Sequence, residues 1–171
     1  TTSGIPNIYE LTFDGSTANA YANGTNVGTQ TGISPGTTLT TSQQLTCVNG
    51  GANTFIEYEI LFYNTNLSTS QRQQVEGYLA WKWGLVSSLP STHPFYKIPT
   101  NTVNPFTPKL LSGLSLWLDA ADGSTITLSG SSVTQWNDKS GSNNNASLLS
   151  GSGAVYTNPT SGLSFGGSTG Y

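Results

Sequence analysis

Short strand-like segments separated by turn residues constrain the fold of this chain more than any other feature. Residues 8–13 and 18–22 have the composition of strands, and Asn23-Gly24 follows the second. An Asn-Gly pair after such a run favours a tight β-hairpin. Further strand patterns occupy residues 37–48, 55–63, 114–118, 133–136, 154–156 and 163–165. These segments predict an all-β protein.

One segment carries helix signals, at about residues 68–83. Ser68 and Gln71 have the spacing of a capping box, in which both side chains satisfy main-chain N–H groups at a helix start. Gly84 is placed to end the helix in a left-handed conformation. A predicted apolar stripe runs along Val75, Leu79 and Trp83. We therefore expect a single short helix in an otherwise β-sheet protein.

The composition excludes several classes of protein. Ser, Thr, Gly and Asn make up nearly half of the 171 residues, and charged residues only 8%. The net charge of −3 and the scattered basic residues exclude a basic surface for nucleic acid or an anionic membrane. No apolar run approaches the ~18 residues of a membrane-spanning helix. Cys47 is the single cysteine, so neither a disulfide framework nor a cysteine zinc site is expected.

Two long motifs resemble one known domain type. Residues 59–95 read EILFYNTNLSTSQRQQVEGYLAWKWGLVSSLPSTHPF. This string resembles the C-terminal end of concanavalin A-like, laminin-G-like jelly-roll domains, which occur in tandem-repeat surface proteins of giant viruses, phages and bacteria. Residues 114–147 read LSLWLDAADGSTITLSGSSVTQWNDKSGSNNNAS and are similar to the beginning of the same domain type. The resemblance implies a concanavalin A-like β-sandwich of the jelly-roll type.

The order of the two motifs is the reverse of that in a whole domain. Residues 1–96 would be the C-terminal half of a sandwich domain, residues 97–109 a Pro-rich linker, and residues 110–171 the N-terminal half of a following, permuted or partner-completed domain. Three arrangements remain open. The chain is a window across a tandem array, a circular permutant that closes on itself, or a subunit whose halves complete those of neighbouring chains.

Isolated half-sandwiches would expose apolar faces and unpaired strand edges, so something must complete them. The predicted assembly strand contains Leu116, Trp117 and Leu118. We expect a homo-oligomer or polymer, or pairing with neighbouring repeats of a longer chain. The corresponding function is that of a non-enzymatic structural or adhesive subunit of an extracellular or virion surface fibre.

A carbohydrate-binding, lectin-like module that recognises cell-surface glycan is the alternative function. Sugar rings stack on exposed aromatic side chains. Trp81 and Trp83 lie two positions apart on the predicted helix and point in different directions, so Trp81 is available for a second surface. The candidates for glycan contact or for an interface are Trp81, Tyr21, Tyr9 and Tyr171.

Three aspartates form a candidate calcium site. Asp119, Asp122 and Asp138 would supply hard oxygen ligands from loops, and laminin-G-like domains often bind calcium. The spacing lacks the regular alternation of a dedicated calcium loop. Aspartates also commonly cap turns, which is the simpler interpretation here. No other cofactor is expected.

No catalytic site is predicted. Glu57 and Glu59 lie two apart on one predicted strand, but the string EYEIL lacks the third carboxylate of strand-borne glycosidase sites. His93 is the single histidine, and a structural role is expected for it.

Overall fold

The computed structural model describes residues 6–34, 55–98, 106–148 and 153–166. Cys47, Tyr171, the predicted strand 37–48 and most of the predicted linker lie outside these ranges. The chain divides into two compact units, which alternate along the sequence. Unit 1 comprises Thr1–Thr37 and Thr65–Ser112, and unit 2 comprises Thr38–Asn64 and Gly113–Tyr171. Across the described residues the strands pair antiparallel and one α-helix is present, as the strand patterns predict.

Unit 1 contains a three-stranded antiparallel sheet in the order β1-β2-β3. The strands are β1 (Tyr9–Phe13), β2 (Ala18–Ala22) and β3 (Thr25–Gln30). Asn23 and Gly24 connect β2 to β3 with φ angles of 49° and 78°. Consecutive left-handed residues match the twist of a hairpin, which is why Asn-Gly occupies this turn. The predicted β-hairpin is thereby confirmed.

Helix α1 (Thr69–Lys82) has the predicted cap. Ser68 accepts a hydrogen bond from the Gln71 amide, the Gln71 side chain accepts one from the Ser68 amide, and Gly84 follows the helix with φ 71°. The buried face differs from the predicted apolar stripe. Its residues are Arg72, Val75, Glu76, Gly77 and Ala80, whereas Leu79 and Trp83 are only half-buried. Two charged side chains therefore lie on the face that packs inward.

The segment after α1 packs back on the helix. Leu85 and Leu89 form a small core with Ile8 and Ala80. Gly77 is required because the Phe95 ring lies 2.6 Å from the position that a Cβ atom would take there. Because glycine has no Cβ atom, the Phe95 ring can pack directly on the helix backbone.

Unit 2 contains two sheets. Strand β5 (Glu59–Tyr63) pairs antiparallel with β6 (Leu114–Asp119). The larger sheet has the order β4-β11-β10-β8-β7, with β9 also paired to β8. Its strands are β4 (Phe55–Glu57), β7 (Ile126–Ser129), β8 (Ser132–Trp136), β9 (Ala146–Ser147), β10 (Val155–Tyr156) and β11 (Leu163–Phe165).

The predicted strand 55–63 is two strands, and this is a correction. Tyr58 separates β4 from β5, and the two strands belong to different sheets. β4 pairs with β11, with Phe55 opposite Phe165 and their rings stacked at 4.9 Å. The continuous apolar pattern arises because the chain passes from one sheet to the other.

Side chains from both sheets of unit 2 form one core. Leu118 of β6, Val133 and Trp136 of β8, and Leu163 and Phe165 of β11 belong to a single buried cluster. Full burial of such side chains stabilises a fold by roughly 1.5–3 kcal/mol each. The two sheets are therefore layers around a common interior.

Strands from both sides of the predicted linker pair within this one chain. β4 and β5 precede the predicted linker and pair with β11 and β6, which follow it. The predicted boundaries at 96 and 110 themselves remain a prediction. Within the described part of the chain, no helix is long and apolar enough to cross a membrane.

Candidate functional site

A buried cluster of charged groups links the sheet of unit 1 to its helix. Glu76 is fully buried at the centre, where it accepts a hydrogen bond from Arg72 one helical turn earlier. The same Arg72 nitrogen lies 3.3 Å from the Glu10 carboxylate of β1. The guanidinium also lies 3.9 Å above the ring centre of Tyr21 on β2. Arg72 therefore joins α1 to two strands at once.

His93 completes this cluster from the segment after the helix. Its Nε2 lies 2.9 Å from the second carboxylate oxygen of Glu76, and its Nδ1 accepts the Phe95 amide at 3.2 Å. Because Nδ1 accepts a hydrogen bond, the ring proton is assigned to Nε2, which donates to Glu76. Gly24 of the hairpin turn lies against the same imidazole. His93 thus has a structural role.

Glu10 is held in its protonated form. Burial, a hydrogen bond with Glu76 and the negative charge of Glu76 raise the pKa of Glu10 to about 9, although Arg72 opposes the shift. Two carboxyl groups close together cannot both ionise in a buried site with one cation. In this cluster, Glu10 is therefore a carboxylic acid beside the Arg72 guanidinium, the Glu76 carboxyl group and the His93 imidazole.

Unit 1 should lose stability as pH rises. Folded Glu10 keeps its proton up to about pH 9, whereas the unfolded chain loses it near the ordinary value of 4.5. Between these values the folded state binds the extra proton, so the free energy of unfolding falls by on the order of 1 kcal/mol per pH unit. Hydrogen exchange of the α1 amides between pH 5 and 9, corrected for intrinsic rates, measures this loss. Glu10→Gln should remove the dependence, and an equal slope in that variant would contradict the assignment.

The sheet of unit 1 carries its polar residues inward and its apolar residues outward. Glu10 and Tyr21 contact Arg72 of the helix, so the intervening β1 side chains point to the opposite side. These are Tyr9, Leu11 and Phe13, which are 77%, 75% and 40% exposed. Their cross-strand partners are Ala22, Ala20 and Ala18. We call the six residues the outer face.

The structure separates three of the four aromatic candidates. Tyr9 is exposed on the outer face, while Tyr21 is half-buried beneath Arg72 on the opposite side. Trp81 is 38% exposed and donates its indole N–H to the Phe95 carbonyl at 2.8 Å. Tyr171 lies outside the described residues. Tyr9, Tyr21 and Trp81 therefore do not present one continuous aromatic surface.

Asp138 closes the open side of the predicted assembly strand. Its Oδ1 accepts the amides of Trp117 and Ser140 at 2.8 and 2.7 Å, and its Oδ2 accepts the amide of Asn144 at 3.1 Å. The Lys139 amide in turn donates to the Trp117 carbonyl at 2.8 Å. β6 thus has β5 along one edge and this loop along the other. Trp117 and Leu118 are buried and Leu116 half-buried, so all three contribute to their own unit.

The other two aspartates of the candidate calcium site surround a lysine. The Lys139 ammonium lies 2.8 Å from Asp119 and 2.9 Å from Asp122, and it also lies over the Trp117 ring. Hydrogen bonds from Lys139 and Ser124 lower the pKa of Asp122. The described residues contain no group of three His, Cys, Asp or Glu side chains placed to hold a metal ion. The Lys139 ammonium therefore bridges the two carboxylates.

Glu57 and Glu59 lie on different strands in different sheets. Glu59 accepts the indole N–H of Trp117 at 2.7 Å, which gives it a structural partner on β6.

Sequence reasoning missed the pairing of Glu10, Arg72 and Glu76, because charged residues on a helix or strand are usually assigned to the surface. A usable signal existed in the spacing of Arg72 and Glu76 at i and i+4, which places both on one helix face. Because charged residues are only 8% of this chain, two of them on one helix face are more informative than in a typical protein.

Comparisons with protein-family models, with curated proteins and with solved structures give no match to this chain.

Proposed function

We propose that the chain is a non-catalytic structural or adhesive subunit of an extracellular or virion surface fibre, built from concanavalin A-like jelly-roll units. The observation that carries this proposal is the outer face of unit 1. A contiguous exposed apolar surface is rare on an isolated protein and typical of an interaction site. Here the apolar face is outward, while the polar face is covered by the helix.

The strand pairing of unit 2 supports the same proposal. Strands that resemble the end and the beginning of one domain type pair with each other although their order in the chain is reversed. Main-chain pairing of this kind can join segments of successive repeats as readily as segments of one chain. Unit 2 already uses β6 internally, so we place association between chains at unit 1.

Light scattering over a wide concentration range tests this function. We expect the wild-type chain to show masses above that of one chain, rising with concentration. Leu11→Ser on the outer face should lower these masses towards a monomer, because it removes an exposed apolar contact. Phe62→Ser is the matched control, since Phe62 is 59% exposed in unit 2. A monodisperse single chain at every concentration would overturn the assembly proposal.

Carbohydrate binding is the second candidate, and one observation favours it. The Trp81 ring is partly exposed and its orientation is held by the hydrogen bond to Phe95, as a sugar-stacking platform requires. A glycan-array signal that Trp81→Ala removes while the mass in solution stays unchanged would favour this function over assembly.

A further inference from the structure

The outer edge of β1 has main-chain groups directed away from its own sheet. The Ile8 carbonyl accepts from Asn23 and the Asp14 amide donates to Thr17, so the even-numbered residues bond towards β2. Consecutive residues of a strand direct their N–H and C=O groups to alternate sides. Tyr9, Leu11 and Phe13 therefore turn theirs to the outer edge, where no strand of the described residues pairs with β1.

The order of side-chain types along this edge is nearly palindromic. Tyr9 and Phe13 are aromatic and flank Leu11 at equal spacing. The outer face carries no charged side chain, so two copies can meet without repulsion, whereas a charged partner would find no opposite charge. Glu10 is on the covered face and is held protonated.

The other edge of the same sheet is less suited to pairing. The register between β2 and β3 shifts between Ala20 and Tyr21, which leaves Val27 as an extra residue on β3. A bulge of this kind disrupts the ladder at an exposed edge and discourages further pairing. β1 has no bulge, no proline and no lysine.

We propose, on the basis of the assembly function above, that β1 pairs antiparallel with β1 of a second copy about a two-fold axis at Leu11. In this register Leu11 lies opposite its equivalent, and Tyr9 lies opposite Phe13 of the other copy. All three residues direct their main-chain groups to the edge, so each opposed pair exchanges two hydrogen bonds. The two sheets become one continuous sheet, and the outer faces become one apolar surface.

A further consequence of this axis concerns the covered face. Glu10 lies opposite Thr12 of the other copy and not opposite a second Glu10. The pairing therefore brings no two carboxyl groups together, and the open edge of β1 is used along its whole length.

Disulfide cross-linking of single-cysteine chains tests the register, with Cys47→Ser as the common background. Opposed residues of a hydrogen-bonded pair have Cα atoms about 5.5 Å apart, which is within the range of about 4.4–6.8 Å for a disulfide. Leu11→Cys should therefore give a covalent dimer under mild oxidation. Phe13→Cys is the matched control, because its two copies would lie about 13 Å apart and should not cross-link. A mixture of Tyr9→Cys and Phe13→Cys chains should give the mixed dimer.

Two measurements separate this inference from the proposed function. If the wild-type chain assembles but Leu11→Cys does not cross-link, or Phe13→Cys links equally well, the two-fold pairing is wrong and assembly stands. If the wild-type chain is a monomer at every concentration, both proposals fail.

A charged substitution at the two-fold axis is a further test. Leu11→Lys would place two ammonium groups opposite each other, so it should weaken dimerisation by roughly tenfold or more. An unchanged dissociation constant in that variant would also overturn the pairing.

Discussion

Replacing Arg72 with methionine should destabilise unit 1 by roughly 3–5 kcal/mol, because it leaves the fully buried Glu76 carboxylate without a cation. Methionine keeps the packing of the side-chain stem, so the loss reports the charge and its hydrogen bonds. Hydrogen exchange of the α1 amides should accelerate by roughly two to four orders of magnitude if unit 1 opens cooperatively.

Lys82→Met is the matched control for this variant. Lys82 lies on the same helix, where its ammonium contacts the Tyr78 hydroxyl at 3.0 Å and is only half-buried. We expect Lys82→Met to change the free energy of unfolding by less than about 1 kcal/mol, because the contact between Lys82 and Tyr78 is partly exposed to solvent. Equal effects of the two variants at neutral pH would show that the Arg72 cluster does not stabilise unit 1.

Replacing Asp138 with alanine should destabilise unit 2 by roughly 3 kcal/mol. The variant removes the acceptor of the buried Trp117 amide and of the Ser140 and Asn144 amides. Because the loop is then no longer bound to Trp117, the edge of β6 that the loop covers becomes accessible to solvent and to other strands. We expect faster exchange at the Trp117 amide and a tendency to aggregate, which light scattering detects.

Asp122→Asn serves as the control for the loop variant. Asp122 is partly exposed, and it shares Lys139 with the more deeply buried Asp119. The variant should cost at most about 1 kcal/mol and leave β6 protected. Protection of Trp117 that survives in Asp138→Ala would contradict the role assigned to this carboxylate.

The few charged residues of this chain act mainly inside its two units. Glu10, Arg72 and Glu76 hold strands to the helix in unit 1, and Lys139 holds Asp119 and Asp122 in unit 2. A surface rich in Ser, Thr, Gly and Asn then has little charge to keep copies apart. Low surface charge and the apolar sheet face are the two features on which the proposed association depends.

Local signals predicted the elements that depend on neighbouring residues. The capping box of Ser68 and Gln71, the turn at Asn23-Gly24 and the helix end at Gly84 all form as expected. Each depends on hydrogen bonds or φ angles within a few residues, so the surrounding fold changes them little.

Contacts between distant segments account for the features that could not be predicted. Tyr58 divides one apolar run because β4 and β5 find partners in different sheets more than fifty residues away. Glu10 becomes a protonated acid because burial, together with the hydrogen bond and the charge of Glu76 on the distant helix α1, raises its pKa. The apolar stripe predicted for α1 is likewise not its buried face, because local spacing puts Arg72 and Glu76 on one helix face but does not determine which face is buried.

The strand pattern, the helix with its caps and the predominance of β-structure are all encoded locally, because periodicity and turn chemistry act over a few residues. Which edges are used and which remain open depends on the tertiary structure. The sequence predicts β6 as a strand that pairs with a neighbour, but β5 occupies one of its edges and Asp138 the other. The sequence predicts β1 as one arm of a hairpin, but in the folded chain the helix covers its polar face, its apolar face is exposed, and no described strand pairs with its outer edge. Pairing of strands is non-local, and only the folded chain decides which hydrogen-bonding groups are still available.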